Sequence, residues 1–304
     1  MILIFLCLQQ TEDLRCSARL LNEKFEKMSE TKKAIIRELE FGGLMHIMLM
    51  NMPHKLLKEL ANSFNLDKNK SDTRHGSLKI KPKKIGAVVG INASRNKFSE
   101  KVSFKELSEE NKEIFRRFEG KTLKNLTNQI MDIGVDNYQD RLRFKRIFIL
   151  YIQMAFLLPT TINKVSPVHL APIFRMDNIM ECNWDNHVLN FIIKGITNYR
   201  LKKKKSIDAC LYALMIVYFH LTKHKDKKEE VIPGLPWVSD WNRELLIVRI
   251  RAEIDGHMIT DEQNTFSNLG VFYLCRWCKL TFRLFQGIIK RTKVKKKLKE
   301  MKET

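Results

Sequence analysis

The sequence predicts an all-α protein: a mainly helical, bundle-like domain with room for one short hairpin or strand, followed by a basic C-terminal extension. Three observations lead there. Apolar residues recur at three- and four-residue spacing through most of the chain as far as Thr222. Ser, Thr, Asn and Pro stand at the starts of these stretches, where a side-chain oxygen can accept first-turn N–H groups or a fixed φ suits the first turn. One stretch, Asn137 to Leu158, is long and turns apolar on every side in its second half, the mark of a helix buried in a core.

Taken in order, Ser17 to Met28 places Leu20, Leu21, Phe25 and Met28 on one helical face. Ser29 or Thr31 caps a second helix carrying Ile35, Ile36 and Leu39, which Gly42-Gly43 is expected to end. Pro53 opens a third, followed by Leu56, Leu57, Leu60 and Phe64. Leu78 and Ile80 alternate with Lys79 and Lys81, the pattern of a short strand, and Pro82 begins a brief helix closed by Gly90. Phe104 to Phe118 reads as a capped amphipathic helix with Ser108 as N-cap and acids in its first turn. Lys121 to Ile133 repeats the pattern and Gly134 stops it. The helix from Asn137 to Leu158 would be about 33 Å long and ends at Pro159. Ser166-Pro167 starts a short helix, and two longer ones are expected at Trp184 to Tyr199 and Lys204 to Thr222. Pro233-Gly-Leu-Pro236 reads as a turn and Trp237 to Glu253 as a last amphipathic helix. The domain map is an irregular apolar N-terminus (1–14), a helical region (15–225) and a charged extension with a basic tail (226–304).

The balance of 55 Lys and Arg against 34 Asp and Glu gives a net charge of +21 over 304 residues, while 44% hydrophobic content argues against global disorder. The six cysteines lack a framework-like spacing, so reduced thiols in a reducing compartment are expected. Met1 to Leu8 is apolar but has no basic leader and no small-residue cleavage site, and is not read as a secretory signal. The longest uncharged run, Ile147 to Asn163, has 17 residues and contains Pro159, too short and too interrupted for a spanning helix. No membrane span is expected.

Candidate chemistry is sparse. Cys275-Arg-Trp-Cys278 has metal or redox spacing, but a structural zinc site needs four ligands and the nearest second pair, His220 and His224, stands more than 50 residues upstream. Cys275 and Cys278 are weak metal candidates only. His46, His54, His169 and His187 have no Cys or Asp at ligand spacing and read as solvated or core histidines. Gly86-Ala-Val-Val-Gly90 lacks the third Gly and the Lys-Ser/Thr ending of a phosphate loop, so helix packing or capping accounts for it. Glu109-Glu110 sits where the helix dipole already favours acids. Charge is the firmer signal. Residues 288–304 hold eight Lys or Arg against two Glu, and Lys79 to Lys84, Arg200 to Lys205 and Lys223 to Lys228 add further clusters. The candidate nucleic-acid contacts are Lys202, Lys203, Lys204 and Lys205, with Lys290, Arg291, Lys293, Lys295, Lys296 and Lys297 in the tail. The aromatic stretch Phe272 to Phe285 could stack bases or meet a membrane interface, with packing as the default.

Several segments form an ordered series: Phe41-Gly-Gly-Leu-Met-His46, Lys83-Lys-Ile-Gly-Ala-Val-Val-Gly-Ile-Asn-Ala-Ser94, and the run from Phe144 to Thr161. It continues through Ser166-Pro-Val-His-Leu170, Asn183-Trp-Asp-Asn-His-Val-Leu189 and Lys203-Lys-Lys-Ser-Ile-Asp-Ala-Cys-Leu211. The series resembles the aminotransferase-like plant mobile domain and its relatives fused to ubiquitin-like-specific cysteine proteases in Mutator-like elements, over residues 15–225. The resemblance implies a nuclear, transposon-derived protein whose helical domain is not catalytic. In the fused relatives activity lies in a separate protease with an Asp-Cys-Gly nucleophile setting, and no Asp-Cys-Gly occurs in this sequence.

The expectation is therefore a non-enzymatic helical nuclear domain (cytoplasmic as the alternative) that makes protein or weak nucleic-acid contacts and uses no cofactor. A ubiquitin-like-protease relative and a purely electrostatic DNA or RNA binder are the competing readings. The functional expectation depends on the apolar central helix being a packed hub with no open cleft of converging ionisable groups beside it.

Overall fold

The computed structural model describes residues 17–73, 75–91, 103–223 and 236–254. The chain divides into two compact units, Met1–Gly256 and His257–Thr304, and all the described residues belong to the first. They form eleven α-helices, several short 3-10 turns and one small sheet.

Local capping explains most boundaries. Helix α1, Ala18–Lys27, starts where the Ser17 hydroxyl accepts the Leu20 N–H and buries Ala18, Leu21 and Phe25. Helix α2, Glu30–Glu38, is capped in the same way by Ser29. It ends sooner than the glycines suggest, because Glu40 itself adopts the left-handed conformation (φ 62°) and Gly42–His46 form a 3-10 turn. Gly43 has a different role. A Cβ there would come within 2.4 Å of the Val89 carbonyl oxygen, so the glycine lets two backbone segments cross.

Helix α3, His54–Ser63, leads into an antiparallel sheet of strands β1 (Phe64–Asn65), β2 (Lys70–Thr73) and β3 (Gly76–Lys79) in the order β1-β2-β3. Ser71 pairs with both Phe64 and Leu78. The sheet therefore holds one strand more than the single hairpin the sequence leaves room for. Helix α4, Pro82–Val89, begins with its proline and ends at Gly90 (φ 66°), as its sequence predicts.

Helix α5, Glu109–Phe118, carries the Ser108 cap, and α6, Leu123–Asp132, a reciprocal Thr122–Asn125 capping box. Helix α7, Tyr138–Ile152, continues into a π-turn, Gln153–Leu157, and every side chain from Ile147 to Leu158 is buried. This is the hub. Phe148 lies 6.3 Å from Phe25 and 6.0 Å from Phe41, ring centre to ring centre, and Phe41 meets Trp184 edge-on at 5.1 Å. Within the π-turn, Gln153 is fully buried and donates to the Ile149 and His169 carbonyls. Helix α8, Pro167–Leu170, and two 3-10 turns connect the hub to α9, Trp184–Arg200.

Helix α10, Leu211–Lys223, begins seven residues later than the expected start at Lys204. Residues 201–210 are not helical, so Asp208, Ala209 and Cys210 lie before the helix and not within it as the expected start at Lys204 would place them. The reason is tertiary. Lys202 takes a positive φ of 55°, the Asp208 carboxylate accepts the Thr161 N–H at 3.0 Å, and the chain at Asp208 presses onto α9 beside Gly195. Helix α10 packs on α3 and α4, and α4 packs on α9. Residues 236–254, which the sequence assigns to the extension, add Trp237, Val238, Trp241 and Leu246 to the same core through a 3-10 turn and helix α11, Arg243–Ile254.

Candidate functional site

The basic run after α9 is only partly available to a partner. The Arg200 guanidinium donates to the carbonyls of Ala61, Asn62 and Phe64, capping the end of α3. Lys204 pairs with the buried carboxylate of Asp208. Lys202, Lys203 and Lys205 are exposed, and their side chains make no hydrogen bond or ion pair among the described residues. The structure thus brings three of the four expected lysines together on one solvent-facing turn. Their position at a helix C-terminus also complements the negative end of that helix. Lys290, Arg291, Lys293, Lys295, Lys296 and Lys297, and the pair Cys275 and Cys278, lie outside the described residues, as does the expected turn at Pro233 to Leu235.

A second group of cations draws on three elements: Arg117 in the last turn of α5 and Arg143 on α7 both act on Lys121 in the turn after α5, and Arg117 acts on Arg146 of α7. The turn at Lys121 is held in place by backbone bonds with Val165 on both sides. Its ammonium donates to the Gln129 side chain at 3.2 Å and lies 5.3 Å from the Phe118 ring centre. Burial pushes the Lys121 pKa down, and the neighbouring Arg143 and Arg117 push it further. Burial likewise lowers the pKa of Arg146, with repulsion from Arg117 acting the same way against attraction from Glu110, Asp177 and Tyr138. Arg117 alone has an ion pair, with Glu113 at 3.1 Å on the exposed side of α5. Sequence reasoning missed this cluster because no two of its members except Arg143 and Arg146 share an element.

Two other features combine polar side chains from separate elements. A groove of about 310 Å³ runs between the C-terminal end of α2, the first half of α7 and the 3-10 turn Met176–Glu181, walled by Glu38, Tyr138, Arg141, Lys145, Asp177 and Met180. It opens beside the charged half of α7 and not beside its buried half. Elsewhere, a buried polar network joins α10 to α11. Arg249 donates to Glu253 at 2.8 Å and to the Thr222 hydroxyl at 2.9 Å, the Tyr218 hydroxyl donates to Glu253 at 2.7 Å, and His75 lies 3.5 Å from Glu253.

Comparison with family models decides where the chain belongs. Residues 14–215 match the model of DUF8566, a domain of unknown function. The chain is a member of the DUF8566 family. No match is found among curated proteins or among solved structures.

The matched DUF8566 residues contain both cationic clusters and the groove, whereas Arg249 and Glu253 lie beyond them. Of the histidines read as core or solvated, His169 is fully buried, accepting the Ser166 N–H at Nδ1 and facing the Leu158 carbonyl through Nε2. Burial lowers its pKa to about 4; burial and the nearby His169 lower that of His187 to about 4 also. Cys182 and Cys210 are buried free thiols. Among the described residues no three His, Cys, Asp or Glu side chains form a metal-holding group, and no helix is long and apolar enough to cross a membrane.

Proposed function

We propose that this chain is a non-enzymatic helical module of a transposon-derived nuclear protein, working by contact with nucleic acid through surface cations. One observation carries the reading. Lys202, Lys203 and Lys205 stand together on an exposed turn and make no ion pair among the described residues, in a chain whose net charge is +21. Unpaired cations of this kind neutralise phosphates and release counterions, a contribution that needs no groove-reading motif and carries no sequence preference. The transposon origin and nuclear setting rest on the resemblance of residues 15–225 to the plant mobile domain. The non-enzymatic part rests on the sequence lacking the Asp-Cys-Gly setting of the protease-bearing relatives.

The test is fluorescence anisotropy of the full chain with a labelled DNA duplex across a salt series. Binding at about 50 mM salt should weaken linearly in log–log form as salt rises, and the triple change Lys202→Gln, Lys203→Gln, Lys205→Gln should flatten that slope by about 2 to 3. Absence of binding at low salt, or a slope the triple variant leaves unchanged, would overturn the proposal.

A further inference from the structure

Resting on the nucleic-acid reading above, we infer that its surface extends from the Lys202 turn onto the outward face of the β1-β2-β3 sheet, where Lys70 and Lys79 meet phosphates of the same duplex. The Lys79 to Lys84 run, unused so far, thereby joins the Lys202 to Lys205 run.

The two runs are far apart in the chain, and hydrogen bonds bring them together. Arg200 closes α9 by donating to the carbonyls of Ala61, Asn62 and Phe64, so the lysine turn after it starts beside the first residue of β1. Across the sheet, Asn65 of β1 pairs with Lys70 of β2, and Lys70 pairs with Lys79 of β3. The Ile80 N–H bonds the Asn69 carbonyl at 2.8 Å, which holds Lys81 at the same end of the sheet. Directly paired residues share a face. Here it is the outer one. Phe64 and Ser71 are buried on the opposite side, whereas Lys79 is exposed and Lys70 partly exposed.

This placement works against the sheet. Two lysines opposite each other on one face, with Cα atoms about 4.5–5.5 Å apart, repel. Asp72 shares the face diagonally from Lys79, Asp67 sits in the β1–β2 turn, and Glu59 lies on α3. None of the three makes an ion pair with a lysine here, and Lys70, Lys79 and Lys81 make none at all, among the described residues. A lysine on an edge strand serves to keep other strands from adding to it, which accounts for Lys79. It does not account for Lys70, because β2 is the central strand. Local rules are broken chiefly at functional sites, and an anion laid across both ammonium groups relieves the repulsion.

The rest of the face says which anion. Asn65, Lys70, Asp72, Ser77 and Lys79 offer no ring on which a base could stack, and no aromatic or arginine anchor for a protein partner. What remains is cations at strand spacing, suited to the repeating phosphates of a nucleic-acid backbone and blind to its sequence.

The experiment adds two double variants of the full chain to the salt series of duplex binding. Lys70→Gln with Lys79→Gln should lower the log–log slope by about 2. Lys24→Gln with Lys27→Gln removes equal charge from α1, which packs on the π-turn, and should leave the slope unchanged. Lys70→Gln alone should melt no lower than the wild type, since it removes a repulsion; a lower melting temperature means that its ammonium is engaged within the fold, and overturns the proposal. A sheet variant that behaves like the α1 control overturns the extension but leaves the Lys202, Lys203 and Lys205 reading standing if their triple variant still flattens the slope. A slope lowered by the sheet variant alone overturns that reading and the joined surface. No duplex binding at low salt overturns both. Poly-L-glutamate is the second probe and should displace the duplex poorly at equal charge; displacement as strong as that by unlabelled duplex assigns the face to an acidic protein and overturns both.

Discussion

Gly195→Ala offers a direct test of how residues 201–210 are placed. Gly195 lies in the middle of α9, where local propensity favours alanine by about 1 kcal/mol. On sequence grounds the substitution should stabilise. The structure predicts the opposite sign. A Cβ built on Gly195 falls 2.0 Å from the Asp208 carbonyl oxygen, 2.8 Å from its carbon and 3.3 Å from the Ala209 Cβ. Ordinary contact begins near 3.4 Å, so the chain at Asp208 must retreat by more than an ångström. Asp208 cannot retreat freely, being tied to the Thr161 N–H and to Lys204. Forcing backbone apart in a packed core costs about 1–3 kcal/mol or more, and the displaced hydrogen bond adds about 1 kcal/mol. Offset by the propensity gain, the net loss is about 1–3 kcal/mol, or about 2–12 °C in melting temperature for a domain of this size. The assay is thermal melting by far-UV circular dichroism, with Gly134→Ala as control. There the nearest atom is 3.5 Å away, so the control should be neutral or gain up to about 1 kcal/mol. A Gly195→Ala protein that melts at or above the wild-type temperature would refute the placement of the 206–210 segment across α9.

Two further outcomes follow from buried charge. Arg249→Met or Glu253→Leu alone should cost about 3–5 kcal/mol, whereas the double variant should recover a large part of that; a double-mutant cycle in urea showing simple additivity would contradict the network linking α10 and α11. Acid should destabilise the fold through His169 and His187, both held near pH 4 against an ordinary value of 6.5. A depressed histidine leaves the unfolded chain with more bound protons between those values. Stability is therefore whole above about pH 6.5 and falls as pH drops toward 4, by up to about 1.4 kcal/mol per pH unit for each group. His169→Gln should flatten that slope in urea melts at stepped pH, and an unchanged slope would show that His169 titrates normally.

Most helix starts were legible because their causes are local. Ser17, Ser29, Ser108, Thr122 and Asn137 each accept an N–H from their own first turn, a matter of three residues. The buried half of α7 was equally legible, since a helix apolar on all sides can only be a core element. Residues 204–210 were misread as helix because nothing local marks them as anything else. Their path is set by Asp208 reaching Thr161, 47 residues away, and by a glycine on the neighbouring helix. The lysine run was visible as composition, but which of its members are engaged was not. Arg200 and Lys204 differ from their neighbours only in what the fold brings to them.

By itself, then, the sequence determined the helical class, the caps and the hub, because periodicity and first-turn hydrogen bonds act within a few residues. Only the tertiary structure decided which charges meet. Arg200 of α9 finds the carbonyls at the end of α3, and Arg249 finds Thr222 across 27 positions. Charges interact through space, at distances that chain order does not encode, so their grouping emerges only once the apolar faces have packed.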